Sequence, residues 1–380
     1  MGTVLRIKFR TVFITVFCLS VIVLILFNSA ASSNGITSGL EYSARLLIPS
    51  LFPFMVISSF IIRSGVSDIA GSIFSPVTRF LFRLPKAASS AVFLSFIGGF
   101  PVGAKCVRLL YDEDKITEAQ AEQMMLFCVC SGPAFLITGV GVLMLGNIQA
   151  GIILYLSQVS SGIILGIISG LIYSENKIVN EKKIRHNRKK SIINEFILSC
   201  SDGAGAIIQL TAMVVFFSMF ISVMEQTEFP VLFCRFLMAF GFEYPEADCV
   251  FNIILEVTVA CKKICSGGCP LWLLAFASGF GGLCVHFQIF SVLGDIKISR
   301  VKFIAFRFVN ACLSSAFVYI LCRFYNPVSE TFSLIGGGEA ELTSTTFAGA
   351  VGLVIMCMIF VLSLKKSELS RTLFRRQHRI

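Results

Sequence analysis

Gly98-Gly99-Phe100-Pro101-Val102-Gly103-Ala104-Lys105 interrupts an apolar run that starts at Ala87 and ends near Leu110. Each flank is too short to cross a hydrocarbon core of ~30 Å at ~1.5 Å per residue. The glycine pair ends one helix, and Pro101 suits the first turn of the next, where no amide hydrogen is needed. A break inside apolar sequence leaves amides and carbonyls that lipid cannot satisfy. The stretch therefore predicts a re-entrant helical hairpin whose tip lines a polar cavity or is buried in protein.

The rest of the chain places that hairpin in a membrane. Of 380 residues, 56% are apolar and 14% charged, and the mean hydropathy is +0.84. A soluble chain carries about 25% charged residues. Leu46–Ile62, Gln123–Ser174, Gly203–Met224, Ile264–Gly294 and Leu342–Leu364 contain no Asp, Glu, Lys or Arg. The class is an all-α polytopic membrane protein. The net charge of +10 does not mark nucleic-acid binding, because half of the 32 Lys and Arg lie before the first apolar run, between 177 and 190, and in the tail after 364. Such clusters beside apolar ends set orientation, with the basic side inside. Residues 12–27 have basic residues before them and Ser29-Ala30-Ala31 after, as in a signal peptide. A retained first span is the favoured reading.

The pattern divides the chain into an N-terminal span and loop (1–40), a first membrane repeat (41–174), a basic cytoplasmic loop (175–194), a second repeat (195–325), and a final loop, span and basic tail (326–380). The first repeat is expected to hold a kinked helix with Pro49 and Pro53, an interfacial helix over 66–84, and the hairpin. A helix capped by Thr117 and broken at Ser131-Gly132-Pro133 follows, then a full span over 149–173. In the second repeat, 203–224 matches the kinked helix, 229–242 the interfacial one, and Leu271–Leu293, broken at Gly281-Gly282, a second hairpin. With the basic loop inside, the repeats are inverted. A strict mirror gives seven crossings and an outside C-terminus, which the basic tail contradicts. Either Ala247–Ala260 crosses as well or the inversion is imperfect.

Leu51-Phe52-Pro53-Phe54, the Gly98–Lys105 stretch, Phe127 with Ser131-Gly132-Pro133, and Gly281-Gly282-Leu283-Cys284-Val285-His286-Phe287-Gln288 resemble the YlbJ-type sporulation integral membrane proteins. These belong to the nucleoside recognition Gate-domain group, are related to the spore maturation proteins, and more distantly resemble concentrative nucleoside transporters. The resemblance spans about 41–325. It implies a multi-pass protein of the bacterial cell membrane, in the mother cell or outer forespore membrane, acting in endospore formation and moving dipicolinate.

The residues expected to bind solute are Gly98, Gly99, Pro101, Gly103 and Lys105 at the first tip, Ser131, Gly132 and Pro133 at the broken helix, and Gly281, Gly282, His286 and Gln288 at the second tip. Freed amides at a helix start attract anions, and a lysine at membrane depth is a functional candidate. A small anionic solute is the expected ligand. Lys105 is read alternatively as reaching the interface beside Arg108, and His286 as a packing residue. Glu256 with Thr258 is read either as a coupling-cation site or as a partner of Lys262. Arg307 and Asn310 receive no role. Cys261, Cys265 and Cys269 recur every four residues, yet Gly267-Gly268 interrupts the column and no His adjoins it, so free buried thiols are the simpler reading. No metal or cofactor is expected. Three dispersed histidines (His186, His286, His378) and the lack of a nucleophile or phosphate-loop motif argue against an enzyme. Further partners expected are the lipid bilayer and either further copies of the chain or other sporulation membrane proteins. A non-transporting scaffold or assembly factor, or a nucleoside-type transporter, is the rival reading.

Overall fold

The computed structural model describes residues 2–173 and 191–324. The basic 177–190 segment with His186, the acidic loop after 325, the last apolar run and the tail with His378 lie outside them. Every described element is helical. Four helices are long and apolar enough to cross a membrane, or up to six if each of two bent pairs is one span. This is a multi-pass membrane protein.

The first half opens with α1 (Gly2–Phe27) and α2 (Ser29–Tyr42), bent by 95° at Asn28. A π-helical turn, Ser43–Leu47, joins α2 directly to α3 (Ile48–Arg63). Short α4 (Val66–Phe82) has a strongly apolar face. Then come α5 (Ser89–Gly98) and α6 (Phe100–Asp112), separated by Gly99 alone at φ +85°. Only a residue without Cβ takes that backbone cheaply. The pair folds back on itself, since a Cβ on Gly103 would lie 3.0 Å from the Ser95 Cβ. The expected hairpin is present. Thr117 and Gln120 form a reciprocal capping box at the start of α7 (Glu118–Met125). Non-helical residues follow, then a π-helical segment, Ala134–Met144, and the full span α8 (Ile148–Ile172).

The second half has the same order, with one correction to the expected register. Long α9 (Ile192–Met224) precedes short α10 (Phe229–Met238). The hairpin that follows is α11 (Tyr244–Leu255) with α12 (Val257–Ser266), and its tip is Glu256. Asp248 and Lys263, eight residues before and seven after that tip, bond at 2.9 Å, so the two helices lie side by side and antiparallel. Ala247–Ala260 therefore turns back and does not cross. Leu271–Leu293, expected to be the hairpin, is α13 (Leu271–Phe280) and α14 (Gly282–Leu293), one 23-residue stretch long enough to cross. Gly281 and Gly282, at φ +86° and +72°, interrupt it without folding it back. The glycine pair looked like a hairpin tip because a broken helix and a hairpin need the same backbone freedom. The last described helix is the full span α15 (Arg300–Phe324).

Helices from the two halves pack antiparallel where they meet. A Cβ on Gly35 would strike the Met219 Cα at 2.6 Å and one on Gly39 the Val215 Cα at 2.9 Å, so α2 and α9 approach backbone to backbone. Farther along, Phe60 meets Phe196 at 5.6 Å and Arg63 bonds Asp202 at 2.5 Å, which brings α3 along the start of α9. The α8 and α15 spans pair likewise, with Ser161 beside Ser314 (3.0 Å) and Tyr173 beside Lys302 (3.4 Å).

Candidate functional site

Two helix breaks meet within each half. A Cβ on Gly132 would lie 2.9 Å from the Gly99 amide nitrogen, and one on Gly282 3.1 Å from that of Glu256. Each hairpin tip thus rests on the broken helix that follows it in sequence. These approaches require glycine, since any side chain would force the backbones apart.

Both tips and both broken helices open onto one cavity of about 50 Å³. Gly99, Phe100 and Pro101 line it from the first tip, and Glu256, Val257 and Thr258 from the second. Gly132 contributes from the first broken helix, Val285 and Gln288 from α14. Leu46, Leu47 and Leu51 on one side and Leu210 and Val214 on the other close it with apolar walls. A water in liquid occupies about 30 Å³, so this is space for one or two small groups.

The two tips differ in their chemistry. Glu256 caps its own helix, accepting the Val259 amide at 2.7 Å, and is 1% exposed. Its expected pairing with Lys262 is not formed; Lys263 instead bonds Asp248 (2.9 Å) and Glu225 (2.8 Å) at the far end of the hairpin. At the first tip Gly99 offers no side chain, and no side chain caps the start of α6. Phe100 and Pro101, in the first turn of α6, line the cavity.

Six of the expected residues line the cavity: Gly99, Pro101, Gly132, Glu256, Thr258 and Gln288. Gly98, Gly103, Ser131, Pro133, Gly281 and Gly282 build its frame. A Cβ on Gly98 would strike Val102, and one on Gly281 would press on Val285. Pro133 precedes the π-helical segment, and the Ser131 hydroxyl donates to the Ser278 carbonyl (3.0 Å), tying one broken helix to the other. Lys105 and His286 do not line the cavity, contrary to expectation. Lys105 is 9% exposed and its ammonium has no hydrogen-bond partner; the charges acting on it are Asp202 and Arg63. Lys105 lies one turn beyond Pro101 on the same face of α6, past the end of the cavity lining and within reach of the charges on α3 and α9. His286 packs between the Phe280 and Phe303 rings at 5.0 and 5.3 Å, with Nδ1 on the Gly282 carbonyl. These contacts hold the ring outside the cavity lining.

A buried polar set that the sequence did not single out holds the breaks. Arg307, 1% exposed, donates to the carbonyls of Val129 and Gly279, one in each interrupted helix, and its guanidinium carbon lies 5.7 Å over the Phe100 ring. Asn310 donates to the Gly279 carbonyl (3.1 Å) and to Gln158 (3.2 Å), and Gln158 in turn to the Ala275 carbonyl (3.1 Å). Ser161 donates to Asn310 at 2.7 Å. Carbonyls released by the breaks find partners here, as burial demands. The signal available in the sequence was the placement of Arg307 and Asn310 three residues apart inside an apolar span, with Gln158 inside another.

Residues 44–148 match the Gate family, described as nucleoside recognition. They run from the π-helical turn before α3 to the start of α8 and include the first tip and the first break. Over 92% of its length the chain is 23% identical to the sporulation integral membrane protein YlbJ of Bacillus subtilis (strain 168), and the match covers 92% of that protein. The chain is thus similar to YlbJ along nearly its whole length and carries a Gate match within its first half. The likeness to YlbJ takes in both halves, whereas the Gate match takes in one. No solved structure matches the chain.

Proposed function

We propose that the chain carries a small anionic solute across the membrane by alternating access, in endospore formation as the name of its relative suggests, with dipicolinate the first solute to test. The observation that carries this reading is the meeting of both hairpin tips and both broken helices at one cavity. Antiparallel packing of α2 and α3 on α9, and of α8 on α15, supports two inverted repeats, and in such transporters solute sites lie between discontinuous helices.

The unequal tips support an anion. At α12 the chain's own Glu256 carboxylate occupies the helix start; at α6 the equivalent amides are uncapped, and a solute carboxylate takes there the place that Glu256 takes opposite. Amide donors and the helix dipole both favour negative charge at that point. Glu256 and Thr258 are the coupling-cation site in this reading, because no Lys, Arg or His pairs with Glu256 among the described residues. An organic solute fills a site of roughly 300 Å³ or more, so in this reading a hairpin withdraws to admit cargo. No bond-making step is part of the reading.

Counterflow of labelled dipicolinate into proteoliposomes tests it. The expected result is saturable exchange that unlabelled pyridine carboxylates compete away and nucleosides do not. Exchange of nucleosides alone transfers the site to a nucleoside-type transporter. No exchange of either solute under proton and sodium gradients leaves a membrane scaffold.

A further inference from the structure

Cys249 on α11 and Cys269, in the loop between α12 and α13, bring their Sγ atoms to 3.8 Å, and no part of the cavity uses them. The four-residue spacing had aligned Cys269 with Cys261 and Cys265. In the structure α12 ends at Ser266 and Gly268, at φ +65°, turns the chain, so Cys269 leaves that column and meets the other arm of the hairpin. Among the described residues no group of three His, Cys, Asp or Glu forms a metal site. A disulfide needs about 2.0 Å between sulfurs, which leaves about 1.8 Å to close in a loop holding two glycines. Cys269 is 9% exposed and Cys249 3%, and Ser266, Gly267, Gly268 and Pro270 around Cys269 are exposed. A small reagent meets Cys269 first, with Cys249 behind it.

The pair also lies on the face where such a bond survives. The Lys263–Glu225 ion pair holds the open end of this hairpin at the C-terminal end of α9. Helix α9 begins just after the basic 177–190 segment and runs 33 residues, about 50 Å at ~1.5 Å each, more than a bilayer core. With the basic segment inside, Cys249 and Cys269 face the non-cytoplasmic side, where disulfides persist.

We propose that Cys249 and Cys269 form an oxidative modification site that closes to a disulfide by exchange with a small or protein disulfide. The Cys269 thiolate attacks the oxidant's S–S bond, forming a mixed disulfide and releasing one thiol. The Cys249 thiolate then attacks the Cys269 sulfur and releases the second. Two electrons reduce the oxidant, and the two cysteine protons end on the two released thiols. The new bond ties α11 to the loop that leads into α13, fixing the second hairpin to the broken helix it rests on.

The test is oxidation of the purified full chain with oxidised glutathione, quenching with acid, denaturation and alkylation with N-ethylmaleimide, followed by non-reducing peptide mapping. The chain has 14 cysteines, so the expected product carries 12 alkyl groups and one crosslink, between the Cys249 and Cys269 peptides, and dithiothreitol restores all 14. Cys249→Ser should leave Cys269 glutathionylated and uncrosslinked, which shows the order of attack. Full alkylation of the oxidised wild-type chain, or crosslinks that join other cysteines, would overturn the proposal. Because the wild-type map decides alone, poor folding of the variant does not rescue it. The outcome is independent of whether the chain transports any solute.

Discussion

Alanine placed at Gly103 and at Gly205 should have opposite effects, although both are helical glycines. A Cβ on Gly103 would lie 1.9 Å from the Cys128 carbonyl oxygen and 3.0 Å from the Ser95 Cβ. Ordinary carbon–oxygen contacts are ~3.3 Å or longer, so α6 must retreat by roughly 1.4 Å from backbone that cannot rotate away. Overpacking by one methylene costs about 1–3 kcal/mol, and with main chain as the obstacle the upper end applies, ~3 kcal/mol. At about 2 °C per kcal/mol for a large chain, the unfolding midpoint should fall by roughly 6 °C. A Cβ on Gly205 meets nothing within 4 Å, and alanine there should stabilise α9 by about 0.5–1 kcal/mol. The buried cysteines make the readout direct. A maleimide dye that fluoresces on reaction with thiols reports their exposure as detergent-solubilised protein is heated. Equal midpoints for the two variants, within ~1 °C of the parent, would refute the close approach of α6 to the first helix break.

Two further outcomes follow from the polar contacts. Arg307→Leu removes the donor to the Val129 carbonyl, an unpaired buried group worth about 1–3 kcal/mol, while Asn310 still serves Gly279; maleimide labelling of the flanking Cys128 and Cys130 should rise several-fold in folded protein, and unchanged labelling argues that Arg307 does not hold the break. Asp295, fully exposed in the loop after α14, is hydrogen-bonded by Arg108, which holds its carboxyl below the usual range. Its folded pKa is depressed, so its stabilising contribution is present above the ordinary carboxylate value of about 3.9 and is lost as pH falls through the lower folded value. Asp295→Asn should therefore lower the midpoint slightly at pH 7, by a margin that shrinks as the pH is taken down through the folded value, and a variant indistinguishable from the parent across that range would argue against the ion pair.

The site was legible where backbone chemistry decides and illegible where facing does. Gly98-Gly99 followed by Pro101 marks the end of one helix and the start of another with no tertiary information, because glycine supplies the turn and proline tolerates a missing amide only at a helix start. Glu256 carried no such mark. It has no glycine beside it, its φ of −151° is open to any residue, and it ends one helix and caps the next with its own side chain. The sequence signal for a second tip therefore falls on Gly281-Gly282 instead. Moving it to Glu256 leaves Leu271–Leu293 as a stretch long and apolar enough to cross. Lys105 and His286 are polar residues near the breaks, yet whether each reaches the cavity depends on where its lining ends and on which neighbours cover the side chain.

Composition and spacing alone established a helical chain built for lipid, its interruption at glycine and proline, and the basic segment between two similar halves, because these depend on local backbone freedom and on the absence of polar surface. Only the folded chain decided which interruptions turn back and which run on, that Arg307 from the last described span bridges two of them, and that Glu256 occupies one helix start while Gly99 leaves the other open. Those outcomes come from contacts between segments distant in sequence, where the partner of a freed amide or carbonyl is whatever packing brings within about 3 Å.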